Sequence, residues 1–336
     1  MNKFEQRILQ VTGANTISNI ETLQTLWGGY GALLRVSLVG GLYRSVITKQ
    51  IDLPDFSEKE AHPRGWDTQL SHARKLKSYQ VELAWYEQYA SLCDENHKVP
   101  QCIDSAREGQ SMMFILEDLA AVGYPNALSS PTEAAIYAGL SWLASFHAHF
   151  MNVAPKGLWD EGTYWHLNTR PDELAVLQDQ TLKQAANDID LLLSNSKYQT
   201  LVHGDAKLAN FCFSNSHQIA AAVDFQYVGR GCGMKDVALF LSSVLTFEET
   251  PKQVETYLQH YFRELTSSLE QFQPSLDAED VVATWMKLYP VAWADFQRFV
   301  KGWSPDHWKI NPFTESLTEQ AISLLPALKR ELLSRR

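Results

Sequence analysis

From Leu23 to Asp52 the chain reads "LQTLWGGYGALLRVSLVGGLYRSVITKQID", with apolar positions alternating with polar ones and two glycine clusters breaking the alternation. A period of two punctuated by glycine predicts three antiparallel strands. Residues 1–22, ahead of them, read as helical or irregular, and the polar stretch 54–66 reads as a loop. The period then changes. Between about Gln69 and Asn96, Leu76, Tyr79, Leu83 and Tyr86 recur at three- and four-residue intervals, which predicts a helix. "KVPQCIDSARE" and "SMMFILEDL" predict two further strands, the second ending at Glu117, Asp118 and Leu119.

Beyond Leu119 the pattern is mostly helical. Ala134 to Pro155 holds no Asp, Glu, Lys or Arg and has the length of a membrane span. Ser141, Ser145, His147, His149 and Asn152 interrupt its apolar character, and Ser130, Pro131 and Glu133 supply the cap, first-turn proline and capping-box acid of a soluble helix. A central helix buried in a globular lobe is expected instead. "YQTLVHGD", "NFCFS" and "IAAAVDF" are short β-type runs, and helices dominate from about Met234. A strand-rich part with one helix, followed by a larger helical part, predicts an α+β fold of two lobes. The boundary falls at Leu119, giving residues 1–118 and 119–336.

Composition narrows the function. A net charge of −10 over 336 residues excludes a general nucleic-acid binder, which needs a basic surface. The one dense basic run, "HARKLK", reads as a solvated helix face. Four cysteines without C-x-x-C spacing, and an opening "MNKFEQRILQ" unlike a signal peptide, lead to the expectation of free thiols in a reducing cytoplasm.

The chemistry concentrates in "LVHGDAKLANFCF" and "AAAVDFQYVG". Asp224 follows an apolar run that reads as a buried strand, and with Asn210 it offers the hard oxygen ligands that magnesium prefers. Asp205 is then left to accept a proton from an attacking hydroxyl. Lys207, on the same loop, is placed to neutralise a transferring phosphoryl group. Phosphoryl transfer asks for little beyond such positioning and charge. In the amino part, Lys49 sits in the strand "RSVITKQID" and Glu82 in the following helix, a pairing suited to holding phosphates; Glu87 is a rival partner. Gly28, Gly29 and Gly31 in "WGGYG" fit either a phosphate approach or a tight hairpin.

These segments resemble the kinase-like small-molecule phosphotransferase superfamily, which includes choline kinases and aminoglycoside phosphotransferases. "HGDAKLAN" resembles its catalytic loop, "VDFQ" its metal-binding segment and "FILEDL" its hinge; the Asp-Phe-Gln form and "SYQVELAWYEQYA" point to the ecdysteroid-kinase-like branch. The resemblance implies a bilobal protein-kinase-like fold that uses ATP and Mg2+. It makes Asp205 the catalytic base and Asn210 and Asp224 the metal ligands; Lys207, two residues after the base, departs from these relatives and resembles eukaryotic protein kinases more. Lys49, oriented by Glu82, would bind phosphates with the glycines 28, 29 and 31, and the backbone of Leu116, Glu117 and Asp118 would bind adenine. Asp236, in "GMKDVALFL", would buttress the loop, with His203 supporting it by hydrogen bonding. The glycine loop departs from the G-x-G-x-x-G of protein kinases.

Gly204 stands where protein kinases place an arginine, and only twelve residues separate Asp224 from Asp236, too few for a peptide-docking activation segment. The expected acceptor is therefore the hydroxyl of a small molecule, such as an amino alcohol like choline, an aminoglycoside or a steroid-like alcohol. Trp285, Tyr289 and Trp293 recur every fourth position and, beside Asp295, form either an aromatic wall for such an acceptor or part of the core; Pro290 is expected to kink or interrupt their helix. Two other readings remain: a nucleotide-binding regulator without turnover, and a metal hydrolase using His203, Asp205 and Asp224.

Overall fold

A computed structural model describes residues 3–26, 30–52, 68–109, 111–246 and 251–333. Helix α1 (Lys3–Thr12) is followed by strands β1 (Thr16–Thr25), β2 (Gly31–Val39) and β3 (Ser45–Ile51), helix α2 (Thr68–Gln88), and strands β4 (Cys102–Glu108) and β5 (Ser111–Glu117). The five strands form one antiparallel sheet in the order β1-β2-β3-β5-β4. Helix α1 covers one face, burying Ile8 with Val36, Leu38, Val46 and Ile115, and Arg7 pairs with Asp104 of β4. The expected loop 54–66 lies outside the described residues, as do Gly28 and Gly29.

The three expected strands are present, but the first begins at Thr16, inside the stretch read as helical or irregular. Ile17, Ile20 and Leu23 are three residues apart, which hides a strand. The register shifts twice along β1, between Ile17 and Asn19 and between Thr22 and Gln24, and each irregularity breaks the period of two. The strand is also an almost wholly exposed edge, so no buried face enforces alternation. Helix α2 stops at Gln88, short of the expected Asn96. The remainder forms two short 3-10 turns, the second capped by the Asp94 side chain, which accepts from the Asn96 N–H.

The carboxyl-terminal part contains β6 (Asn126–Ala127), α3 (Glu133–His149), α4 (Pro171–Val176), α5 (Gln180–Ser194), β7 (Thr200–Val202), β8 (Phe211–Phe213), β9 (Ala220–Ala222), β10 (Gly229–Gly231), α6 (Met234–Val244), α7 (Pro251–Phe272), α8 (Ala278–Trp303) and α9 (Pro312–Leu333). The expected α+β division is thus present. Helix α3 is the buried central helix, although Thr132 caps it, accepting from the Ala135 N–H at 3.2 Å, and Ser130 does not. Glu133 is consequently the first helical residue and no capping box forms. Among the described residues no helix is long and apolar enough to cross a membrane, and all four cysteines are unpaired.

Helix α8 continues through Pro290, so the proline does not interrupt it. Proline removes one N–H and crowds the preceding turn, but from Leu288 to Val300 every residue is buried, and that packing holds the helix. Trp285, Tyr289 and Trp293 belong to the main core and do not form an open wall. That core joins the two parts: Ile51, Phe114, Tyr79 and Trp85 from the sheet and α2 pack in one cluster with Phe146, Phe150 and Phe225.

Candidate active site

The segment between β7 and α6 is held by one buried carboxylate. Asp236, in the first turn of α6, accepts from the backbone N–H of His203 at 2.5 Å and of Gly204 at 2.9 Å, and contacts His147 Nε2 at 3.2 Å. Gly204 has φ +81°, and a Cβ there would lie 2.0 Å from the Tyr227 carbonyl oxygen, so only glycine fits this turn. His203 donates from Nε2 to the Val223 carbonyl (2.9 Å) and accepts on Nδ1 from the Asp205 N–H (3.2 Å). Both ring nitrogens serve the backbone, which removes this imidazole as a metal ligand and with it the hydrolase reading. Among the described residues no group of three or more His, Cys, Asp or Glu is arranged around a metal position.

Asp205 emerges from this scaffold buried. Its Oδ2 accepts from Lys207 Nζ (2.9 Å) and Asn210 Nδ2 (3.1 Å), whereas its Oδ1, also buried, has no hydrogen-bond partner among the described residues. Burial and the nearby Asp224 push this carboxyl above its ordinary value, against the pull of Lys207. Asn210 Nδ2 also donates to the Asp205 carbonyl (2.8 Å), which fixes the amide and leaves its oxygen as the group available for ligation.

Across from Asp205 stands a second acidic residue. Asp224 has φ +68°, a left-handed conformation that Asp tolerates better than most residues. The next residue anchors it: Phe225 stacks on Trp85 of α2 with centroids 4.2 Å apart. Burial pushes the Asp224 carboxyl up, but Lys49, Lys207 and Lys75 together outweigh it and hold the group below its ordinary value.

Lys49 lies mid-strand in β3, between Leu33 of β2 and Phe114 of β5. Its Nζ meets both Glu82 oxygens, at 2.7 and 2.8 Å, and Asp224 Oδ1 at 3.3 Å. Desolvation alone would lower the Lys49 pKa; Glu82 and Asp224 overcome it and raise it. Burial pushes the Glu82 carboxyl up while Lys49 pulls it back. The rival Glu87 instead accepts from Ser105 Oγ.

Two contributors were not anticipated. Lys75 Nζ donates to Gln226 Oε1 (3.0 Å) and sits 4.6 Å from the Tyr79 ring, and Gln226 Nε2 donates to Asp224 Oδ1 (2.8 Å). Burial lowers the Lys75 pKa. The "HARKLK" run is therefore no solvated face: Arg74 also turns inward, donating to the Thr169 carbonyl at 2.7 Å. The spacing carried the signal, since Lys75, Ser78 and Glu82 are three and four residues apart and share one side of α2.

The hinge residues divide. Leu116 lies inside the sheet, registered against Ile47 and Cys102, and the Glu117 N–H donates to the Gln101 carbonyl. The Asp118 side chain is committed to Arg35 (2.9 Å), Ser45 (2.6 Å) and the Ala120 N–H (3.1 Å), so only backbone remains there for a ligand. Gly31 opens β2 at φ +132°, where a Cβ would lie 1.9 Å from the Gln50 carbonyl oxygen; the strand contact itself demands glycine. Asp295, proposed beside an aromatic wall, is buried and already bonded to Arg298 (2.8 Å) and Trp165 Nε1 (3.1 Å), with Lys235 3.6 Å away. A surface depression of about 460 Å³ beside α3, lined by Glu133, Tyr137, Ser141, Gln218 and His260, contains none of these residues.

The sequence model of the phosphotransferase enzyme family matches residues 66–272. Among solved structures, the chain is similar to an aminoglycoside phosphotransferase from Streptomyces rimosus in complex with ADP and streptomycin, at 13% identity and a TM-score of 0.48, covering 87% of this chain and 100% of that one. It is also similar to a choline kinase from Cryptosporidium parvum, at 14% identity and a TM-score of 0.48, covering 95% of this chain and 91% of that one. A choline/ethanolamine kinase family protein from Mesorhizobium loti gives 12% identity and a TM-score of 0.44 over 98% and 95% of the two chains. A comparison with curated proteins gave no match.

Proposed function

We propose that this chain, which belongs to the phosphotransferase enzyme family, transfers the γ-phosphoryl group of ATP, with Mg2+, to a hydroxyl of a small molecule. The observation that carries the reading is the Asp205 carboxylate: buried, tied on one oxygen to Lys207 and Asn210, and without a hydrogen-bond partner among the described residues on the other. A base in that state is ready for an acceptor hydroxyl.

In the transfer, the acceptor oxygen bonds to the γ-phosphorus, the bond to the β–γ bridging oxygen breaks with its electron pair leaving on ADP, and the hydroxyl proton goes to Asp205. Lys207 offsets charge on the moving group. Lys49, oriented by Glu82, binds phosphate oxygens of the nucleotide, a role shared by the glycines 28, 29 and 31, while adenine is received at the backbone of Asp118, since Leu116 lies inside the sheet and the Glu117 N–H is taken by the Gln101 carbonyl. Asp224 and the Asn210 amide oxygen fit a magnesium ion, because both are hard oxygen donors and Asp224 is held ionised. Bound there, Mg2+ would neutralise phosphate charge. Lys75 and Gln226 position Asp224.

Residues 1–118 form the nucleotide lobe and 119–336 the catalytic and acceptor lobe in this reading, which the 3-10 turn that Asp118 caps at Leu119 supports. The unpaired thiols support a reducing cytoplasm. The ecdysteroid-kinase-like branch rests on the Asp-Phe-Gln sequence form. The reading is tested by following ATP conversion to ADP in the presence of a small-molecule extract. Conversion should require both Mg2+ and the extract and disappear in Asp224→Ala. An Asp224→Ala protein that titrates Mg-ATP and turns over like wild type would remove the metal assignment. Nucleotide binding without conversion on any extract would favour a silent regulator.

A further inference from the structure

The segment between α8 and α9 presents one lysine to the catalytic loop. The Lys309 carbonyl accepts from Gln297 Nε2 (2.8 Å) and Thr314 Oγ1 (2.9 Å), and its N–H donates to His307 Nδ1 (3.1 Å). Three side chains thus fix its backbone. Its own side chain runs back to α6, where Nζ donates to Ser242 Oγ at 3.1 Å. The neighbouring Ser243 Oγ accepts from the Leu208 N–H of the catalytic loop at 2.9 Å, so Lys309 and the loop are anchored on adjacent residues. The ammonium lies 5.3 Å from the Phe296 ring and 5.6 Å from that of Trp308, an exposed indole.

No described carboxylate forms an ion pair with Lys309. The charges that act on it are Lys207, which repels it, and Asp205, which Lys207 already engages. Lys75, by contrast, bonds Gln226, which holds Asp224, whereas Lys309 is anchored on α6 next to Ser243, which holds the loop at Leu208. Burial and Lys207 lower the Lys309 pKa to about 8. A partly buried cation without a counter-ion is costly unless an anion arrives to complete it.

We propose that Lys309 is an acceptor-binding residue that takes a carboxylate or phosphate monoester on the substrate, so that this phosphotransferase acts on a hydroxylated acid and not on an amino alcohol. The inference rests on the phosphotransferase reading. It accounts for the closed Asp295 site, whose negative charge is spent on Arg298 and Lys235 and is not offered to a cationic acceptor.

The test titrates glycerate, gluconate and glycerol phosphate against the neutral alcohols glycerol and sorbitol, and against choline. Binding is followed by thermal shift with and without Mg-ADP, so a failure of nucleotide binding is read separately from a failure of acid binding. Wild type should prefer at least one acid over its neutral counterpart by about 10- to 100-fold, as a charged hydrogen bond provides. The carboxylate and phosphate arms tell which anion it is. Lys309→Gln should lose that preference with Mg-ADP affinity intact, and Lys309→Arg should keep it.

Acid affinity in wild type should fall between pH 7 and 9 as Lys309 deprotonates, and stay flat in Lys309→Gln. The other titratable groups facing Lys309 are His307, which burial and Lys309 itself hold below its usual value, Lys207, raised by Asp205, and Asp205. The proposal is overturned if wild type binds neutral or cationic alcohols as well as acids, if Lys309→Gln keeps the preference, or if that variant loses Mg-ADP instead.

Discussion

Lys49 and Lys309 stand by different aspartates of the site, Lys49 bonded to Asp224 and Lys309 subject to the charge of Asp205, and are shifted in opposite directions. Lys49 is fixed in the middle of a sheet and meets three carboxylate oxygens within 3.3 Å, which raise its pKa despite burial. Lys309 is fixed in a connection, has a serine as its hydrogen-bond partner, and is lowered to about 8. The difference separates two uses of a buried cation. One is completed within the fold by Glu82 and Asp224, on the side proposed to hold the nucleotide. The other pairs with no described carboxylate, and the acid-binding role proposed for it rests on that.

The comparison breaks first at Lys49. Lys49→Met leaves Glu82 buried and unpaired, which should destabilise the fold by about 3–5 kcal/mol. Adding Glu82→Gln should recover much of that loss; urea unfolding of both variants and wild type at pH 7 measures it. Equal stability of single and double variants would show that the pair is not coupled. Lys309 should behave in reverse. Its folded pKa lies below its unfolded one, so the cost of charging it is full below about pH 8 and fades as pH rises towards the unfolded value near 10.4. Lys309→Met should therefore stabilise the protein at pH 7 by roughly 1 kcal/mol, discounted for partial exposure, and confer no gain at pH 10. The smallest effect to resolve is the titration itself: by NMR of the lysine side chains, Lys309 should titrate near pH 8. Lys49 should stay charged throughout that range.

That the candidate residues of this segment come together was legible because they are close in sequence. Asp205, Lys207 and Asn210 meet within five residues, and Asp224 is defined by the strand before it and the aromatic after it. Lys49 and Glu82, though 33 residues apart, were recoverable from strand and helix context. Strand β1 was hidden because its irregular register erases alternation. The fate of Trp285, Tyr289 and Trp293 depended on whether α8 faces solvent or core, and an aromatic stripe at helical spacing serves either. Lys309 could not be found at all. Nothing in "SPDHWKINP" indicates that its lysine returns to the catalytic loop; that follows only from packing α6, α8 and α9 together.

The central claim is that Asp205 activates an acceptor hydroxyl. It is tested most directly by incubating wild type and Asp205→Asn with Mg-ATP and a metabolite extract and following new phosphorylated species by mass spectrometry. The account predicts a product made by wild type and reduced by about 10²- to 10⁴-fold in the variant, with Mg-ATP affinity unchanged. The same product formed at the same rate by Asp205→Asn would contradict it.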